Sequence, residues 1–188
     1  NYIALSNASK TEIKPTEPTI VRRQQSGQDI GNLQRSDTDY MFVHTKEAYR
    51  LLKGREINAN EVTDGARYFV PGGFHCSSRL RKMWLKSIAG NPYDWALVVL
   101  EQKIDLIQKN IANETNKLLK ALDDQRNKGL FISVLRSSKP LKVELGFNSP
   151  YGFLVMQVMT DFDYFVRLVK SLQQRNLISY DEARLLMK

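Results

Sequence analysis

The sequence of 188 residues contains a single cysteine, Cys76, so no disulfide can form within the chain. It also has no uninterrupted apolar run of about 18 residues, the length that a membrane-spanning helix requires. The N-terminus shows no charged and then apolar pattern of a secretory signal. These absences predict a cytoplasmic protein of a reducing compartment that does not bind a membrane.

Short catalytic motifs are also missing. The sequence contains no nucleophile elbow, phosphate-binding loop, HExxH zinc motif or dinucleotide fingerprint. His44, His75 and Cys76 are too few for a zinc site and lack partners at the customary ligand spacing. We therefore expect no metal or other cofactor, and a protein that acts by binding rather than as an enzyme.

Acidic residues are scarce compared with basic ones. The chain has 28 Lys and Arg against 20 Asp and Glu, a net charge of +8 and a pI of about 9.6. Residues 1–40 are balanced, whereas no acidic residue lies between Asp64 and Asp94. This excess favours an anionic partner, first of all nucleic acid. A charged surface that only keeps the protein in solution is the alternative.

Composition and periodicity predict a polar N-terminal arm over residues 1–40 and a helical body over residues 41–128. The expected elements of the body are a strand over 39–44, a helix over 46–53 between Thr45 and Gly54, a helix from Ser77 or Ser78 to Ala89, and a long helix over about 92–126 started by Asn91-Pro92. The basic residues of the second helix are candidate phosphate contacts: Arg79, Arg81, Lys82 and Lys86.

Residues 129–188 have the order strand, helix, helix. Apolar and charged residues alternate over Leu141–Leu145, which is typical of a strand with one solvated face. Pro150 starts an apolar helix after Asn148 or Ser149, and Ser179-Tyr180-Asp181-Glu182 forms a capping box for a last helix. Leu130–Leu135 is also strand-like, so a hairpin with Leu141–Leu145 remains open.

The helix that starts at Pro150 is apolar on most of its sides. The predicted strand before it and the short helix after it are too small to cover this surface. A second copy of the chain is an economical explanation of this pattern. We therefore expect four apolar residues at a dimer contact: Val143, Leu145, Val155 and Phe165.

The order of these C-terminal elements resembles that of ribbon-helix-helix DNA-binding proteins, in which two subunits pair one strand each. Shorter segments resemble the AcaB-like transcriptional regulators of conjugative plasmids and integrative conjugative elements. These segments are Phe42-Val43-His44-Thr45 with Gly54-Arg55, Asn91-Pro92-Tyr93-Asp94-Trp95, and Phe147-Asn148-Ser149-Pro150-Tyr151-Gly152 with Asp161-Phe162-Asp163-Tyr164. The fold class that follows is α+β, with a mainly helical body and a C-terminal ribbon-helix-helix-like unit.

The resemblance implies an activator of conjugative transfer genes that binds promoter DNA as a homodimer, with its ribbon in the major groove. By position, Lys142 and Glu144 become base readers, Lys139 lies at the ribbon's entrance, and Ser179 and Tyr180 lie where a phosphate is held. Activation then requires a surface that recruits RNA polymerase. Two features depart from the usual ribbon-helix-helix module. The first helix after the ribbon strand is unusually long, and the turn between the two helices lacks the customary glycine. The alternatives are an assembly protein of a conjugation apparatus and a nucleic-acid-processing enzyme.

Overall fold

The computed structural model describes residues 37–57, 68–90 and 92–187, all within the unit that begins at Ser36. The fold is α+β with a mainly helical body. Its strands are β1 (Tyr40–Val43), β2 (Gly54–Ile57), β3 (Tyr68–Pro71) and β4 (Leu141–Glu144). Its helices are α1 (Lys46–Lys53), α2 (Gly73–Ile88), α3 (Asp94–Asn127), α4 (Pro150–Gln174) and α5 (Tyr180–Leu186). β1 pairs with β4 and β2 pairs with β3, both antiparallel.

Local capping signals set the ends of α1 as predicted. The Thr45 hydroxyl accepts a hydrogen bond from the backbone N–H of Ala48. Gly54 follows the helix with φ of 84°, a left-handed conformation that glycine adopts without steric cost. A side chain at Gly54 would also collide with the carbonyl oxygen of Val70. The helix predicted over 46–53 is therefore confirmed, and the strand predicted over 39–44 is present as the shorter β1.

The predicted start of α2 at Ser77 or Ser78 is wrong, because the helix begins at Gly73. Ser77 lies inside the helix, and its hydroxyl donates to the carbonyl oxygen of Gly73 at 2.8 Å. This bond to the carbonyl four residues earlier is typical of a serine inside a helix and not of an N-cap residue. Gly73 packs closely against Leu52 of α1, which leaves little room for a side chain there.

The long helix predicted over 92–126 is confirmed as α3, which has 34 residues. Its predicted start at Asn91-Pro92 is wrong by two residues, because Tyr93 is the N-cap and Pro92 precedes the helix; Asn91 itself lies outside the described residues. The Ser87 hydroxyl at the end of α2 donates to the Asp94 carboxylate at the start of α3, so the two helices are joined across their turn. Gly129 follows α3 with φ of 90°.

The hairpin between Leu130–Leu135 and Leu141–Leu145 is not formed, because the first segment is not a strand. Side chains of α4 take the place of a strand partner at Leu135. Its N–H donates to the Ser171 hydroxyl at 2.8 Å, and its carbonyl oxygen accepts from Nε of Arg167 at 2.7 Å. Backbone groups that are bound in this way do not require a sheet ladder.

α4 is the central helix, and it packs against α1, α2, α3, α5 and β1 of the same chain. Its start at Ser149-Pro150 and its end before Asn176, which has φ of 55°, agree with the predicted signals. Near its N-terminus, the Tyr151 hydroxyl donates to Glu101 of α3 at 2.6 Å. Burial, together with this bond to a carboxylate, raises the pKa of Tyr151 to about 12.

A buried carboxylate joins the middle of α4 to the junction of β1 and α1. Asp163 is only 2% exposed, and its Oδ1 accepts three hydrogen bonds. The donors are the N–H of His44 at 3.0 Å and both the N–H and the hydroxyl of Thr45 at 2.8 Å. Because the N-terminus of a helix carries partial positive charge, this carboxylate is stabilised there.

His44 follows β1 and also anchors the loop before β4. Its Nδ1 accepts a hydrogen bond from the N–H of Ser137 at 3.2 Å. Burial, followed by the positive charges of Arg167 and Arg136, lowers the pKa of His44 below its ordinary value of 6.5, although Asp163 acts in the opposite direction. The neutral imidazole is therefore the form that the fold favours.

We predict that Asp163→Ala lowers the free energy of unfolding by about 3 kcal/mol, because it leaves three donors without their acceptor. Asp161→Ala is the matched control, since that carboxylate lies two residues earlier on α4 and is exposed. Urea denaturation followed by circular dichroism measures both variants. Equal losses for the two variants would contradict the role given to Asp163.

A second prediction concerns pH. The folded state binds fewer protons at His44 than the unfolded state, so stability should be full above 6.5 and fall as pH drops toward the lower folded pKa. His44→Asn keeps a hydrogen-bond acceptor near Ser137 but does not titrate. Urea denaturation from about pH 7.5 to about pH 5 should show a smaller loss of stability for this variant than for the wild type. Identical pH profiles would refute this assignment.

Candidate nucleic-acid interface

The ribbon formed by β1 and β4 has one buried face and one exposed face. Its four register pairs are Tyr40 with Glu144, Met41 with Val143, Phe42 with Lys142 and Val43 with Leu141. Directly opposite residues of an antiparallel pair lie on the same face. The side chains that point into the core are Met41, Val43, Val143 and Leu145. The outer face therefore presents Tyr40, Phe42, Lys142 and Glu144.

Aromatic and charged side chains are in contact on this outer face. The rings of Tyr40 and Phe42 lie 5.4 Å apart in an edge-to-face arrangement. Nζ of Lys142 lies 4.3 Å from the centre of the Tyr40 ring, within the range of a cation–π interaction. Glu144 is exposed and pairs in register with Tyr40. The face thus offers a hydrogen-bond donor, an acceptor and two apolar rings to a partner.

Further positive charge lies at one end of the ribbon. The loop before β4 carries Arg136 and Lys139, both exposed. The N–H of Lys139 donates to the Ser137 hydroxyl at 3.1 Å, and Ser137 itself is bound to His44. Because His44 directly follows β1, this loop lies where β1 leads into α1. The predicted place of Lys139 at the entrance of the ribbon is consistent with this geometry.

The four predicted phosphate contacts on α2 are all exposed: Arg79, Arg81, Lys82 and Lys86. Arg79, Lys82 and Lys86 follow one another at steps of three and four and share one side of the helix. Nζ of Lys86 lies 5.6 Å from the centre of the Tyr93 ring. α2 packs against α1, α3 and α4, so these residues form a surface on the helical body rather than on the ribbon.

Ser179 and Tyr180 lie at the start of α5. The Ser179 hydroxyl accepts a hydrogen bond from the N–H of Glu182 at 3.1 Å, so its predicted capping role is confirmed. Tyr180 is exposed, and α5 packs against α4. A phosphate contact at these two residues stays a prediction.

The prediction of a ribbon with strands from two copies of the chain is not confirmed. The order strand, helix, helix is present as β4, α4 and α5, but β4 pairs with β1 of the same chain. The reason is apolar packing, because Met41 and Val43 of β1 join Val143 of β4 in one cluster against α4. The sequence pattern predicted the strand over 39–44 but not its pairing with β4, so Tyr40 and Phe42 were not among the predicted site residues. Their alternation with Met41 and Val43 is the signal that indicates an outward face.

The four predicted dimerisation residues are buried within the chain itself. Val143, Leu145 and Val155 belong to the core cluster between the ribbon, α1, α2, α3 and α4. Phe165 belongs to a second cluster with Leu118 of α3 and residues of α4 and α5. The expectation that α4 needs a second copy of the chain to cover it is therefore wrong, because β1, α1, α2, α3 and α5 of the same chain pack against it.

Two further findings concern other kinds of site. None of the helices within residues 37–57, 68–90 and 92–187 is long and apolar enough to cross a membrane. In the same ranges, no three His, Cys, Asp or Glu side chains are grouped so that they can hold a metal ion.

Comparison with known proteins points to one family. The family model described as transcriptional regulator AcaB matches residues 29–188. No curated protein matches the chain. Among solved structures, the chain is similar to that of selenomethionine-containing AcaB from uropathogenic E. coli, with a TM-score of 0.51 and 12% identity over 80% of this chain and 69% of that one. At this identity the likeness shows the fold alone.

We predict that Phe165→Ala lowers the free energy of unfolding by about 3–5 kcal/mol through cavity formation. The loss should be the same at low and high protein concentration, because the contacts of Phe165 lie within one chain. Phe131→Ala is the control: that ring is 75% exposed, and its removal should cost less than about 0.5 kcal/mol. Denaturation that becomes less sensitive to Phe165→Ala at higher concentration would instead indicate a contact between copies.

Proposed function

Because the chain belongs to the AcaB family of transcriptional regulators, we propose that it binds double-stranded promoter DNA through the outer face of the β1–β4 ribbon. The proposal rests on one observation: a two-stranded antiparallel ribbon exposes Lys142 and Glu144 beside two aromatic rings. A two-stranded ribbon has the width that the major groove of B-form DNA admits.

The side chains of this face match the chemistry of base edges. A lysine donates to O6 and N7 of guanine, and a carboxylate accepts from N4 of cytosine. The rings of Tyr40 and Phe42 can make apolar contact with the methyl group of thymine. Because Lys142 already lies over the Tyr40 ring, its ammonium group is held close to the surface of the ribbon. We assign base reading to Lys142 and Glu144, with Tyr40 and Phe42 as apolar contacts.

Basic residues around the ribbon would supply sequence-independent affinity. Arg136 and Lys139 lie at the end of the ribbon where β1 leads into α1. We propose that they bind phosphates and release counterions, so that the affinity falls as the salt concentration rises. We assign the same role to Arg79, Arg81, Lys82 and Lys86 on α2, and a phosphate contact to Ser179 and Tyr180 at the start of α5.

We further propose that the protein is cytoplasmic, forms a homodimer and activates conjugative transfer genes. A dimer would present two ribbons to a near-palindromic site and would act by binding, without turnover. Recruitment of RNA polymerase by another surface completes this mechanism. The resemblance of segments such as Phe147–Gly152 and Asp161–Tyr164 to regulators of conjugative elements supports it.

A second candidate function is assembly with other proteins of a conjugation apparatus. The observation that favours it is the exposed apolar surface of α3. Trp95 is 77% exposed, and Val98 and Leu106 are also exposed along the same helix. Exposed apolar side chains that recur along one helix are typical of a protein contact. Association with a transfer protein in the absence of DNA would favour this function.

The first experiment is selection of bound sequences from a random duplex pool, using the whole chain. We expect enrichment of one motif, with an inverted repeat if two copies bind together. Retention of DNA without a motif would contradict sequence reading by the ribbon. No retention at low salt would favour the assembly function.

We predict that Lys142→Ala weakens binding to the selected duplex by about 1–3 kcal/mol and binding to unrelated duplex by much less. Lys103→Ala is the matched control, because this exposed lysine belongs to α3 and not to the ribbon, and its removal should leave the preference between the two duplexes unchanged. Fluorescence anisotropy at several salt concentrations measures both variants. An equal loss on both duplexes would make Lys142 a phosphate contact instead of a base reader.

A further inference from the structure

A cavity of about 880 Å³ lies on the side of α1 that carries Arg50. Its walls come from α1, from the paired strands β2 and β3, from α4, and from α5 with the residue that follows it. The lining residues that matter most are Arg50 and Leu51 of α1, Arg55 of β2, Val70 of β3 and Phe162 of α4. The volume lies within the range of about 300–1,000 Å³ that is usual for small-molecule sites.

The walls of the cavity are mostly apolar, although they are open to solvent. Leu51 of α1 is 48% exposed and Val70 of β3 is 40% exposed. Phe162, Leu186 and Met187 add further partly buried apolar surface. A concave apolar surface favours the burial of an apolar group, because burial removes apolar surface from water.

The polar groups of the cavity are predominantly positive. Arg50 and Arg55 are exposed on the wall of the cavity. Guanidinium groups bind carboxylate and phosphate groups through paired hydrogen bonds. Two such groups beside an apolar wall favour a ligand that has an anionic head and an apolar body.

Glu47, the acidic residue among the described residues of the wall, is already neutralised. Nζ of Lys170 lies 2.8 Å from both carboxylate oxygens of Glu47. Burial alone would raise the pKa of Glu47, but the hydrogen bond and charge of Lys170, with a smaller contribution from Arg50, hold it below its ordinary value. Glu47 thus has its own cation, and the charge of Arg50 and Arg55 remains available to an incoming anion.

We propose that this cavity binds a small amphipathic anion, with its carboxylate or phosphate at Arg50 and Arg55 and its apolar body against Leu51, Val70 and Phe162. The site is separate from the outer face of the ribbon, so its occupancy does not require DNA. The assignment stands on the shape, the apolar lining and the charge of the cavity.

The test is isothermal titration of the whole chain with decanoate, decyl phosphate and decan-1-ol, each below the concentration at which it aggregates. We expect saturable binding of at least one of the two anions, and at least tenfold weaker binding of the uncharged alcohol. The preferred anion then distinguishes a carboxylate ligand from a phosphate ligand. No saturable binding, or equal affinity for the alcohol and both anions, would overturn the proposal.

The double variant Arg50→Gln/Arg55→Gln should bind the preferred anion about tenfold or more weakly and leave the affinity for decan-1-ol unchanged. Arg79→Gln/Lys82→Gln removes the same charge from α2 and is the control for a general electrostatic effect. Leu51→Glu, which places a carboxylate on the apolar wall, should weaken the binding of all probes. Thermal melting of each variant confirms that it is folded before its titration is interpreted.

Membrane lipid is the other source of amphipathic anions, and sedimentation with vesicles distinguishes it. Capture of the chain by phosphatidylglycerol vesicles without any binding of the monomeric probes would overturn the cavity proposal in favour of surface attraction. Unchanged binding of the preferred anion by Arg50→Gln/Arg55→Gln would also overturn it. Loss of binding in that variant but not in the α2 control would establish the site.

Discussion

The arrangement of the fold depends on one buried carboxylate, Asp163 in the middle of α4. Burial of a charge costs several kcal/mol unless donors surround it. Here two backbone N–H groups and the Thr45 hydroxyl supply them at the N-terminus of α1. Because these donors come from two consecutive residues, a shift of β1 or α1 along α4 would leave the carboxylate unpaired. One side chain thus sets the position of the β1–α1 junction on the central helix.

This constraint determines which side chains the ribbon presents. With the end of β1 held against α4, Met41 and Val43 pack inward, and their neighbours Tyr40 and Phe42 must point outward. The pairing of Phe42 with Lys142 then places Lys142 on the same face. The candidate base readers therefore lie on paired strands above a packed core, and a site on such elements is held more precisely than one on a loop.

The position that Asp163 gives to α1 also affects the second candidate site, the apolar cavity. α1, whose N-cap residue Thr45 is bound by Asp163, also supplies Arg50 and Leu51 to the apolar cavity. The Lys170–Glu47 ion pair adds another link between α1 and α4 beside that cavity. The ribbon and the cavity therefore both lie against α4, but we propose a different chemistry for each: contacts with base edges for the ribbon, and binding of an amphipathic anion for the cavity.

Sequence patterns alone determined the helix boundaries that depend on nearby residues. These boundaries are set by residues that act within a few positions, so their effect can be predicted locally. They are Thr45 and Gly54 around α1, Ser149-Pro150 before α4, Asn176 after it and Ser179 before α5.

Tertiary structure alone decided the partner of β4, the cover of α4 and the role of Asp163. An alternating strand such as Leu141–Glu144 suits a second copy, a hairpin or β1 equally well by its pattern. Packing of Val143 with Met41 and Val43, across about a hundred residues of chain, selected β1, and no local signal encodes a contact over that separation.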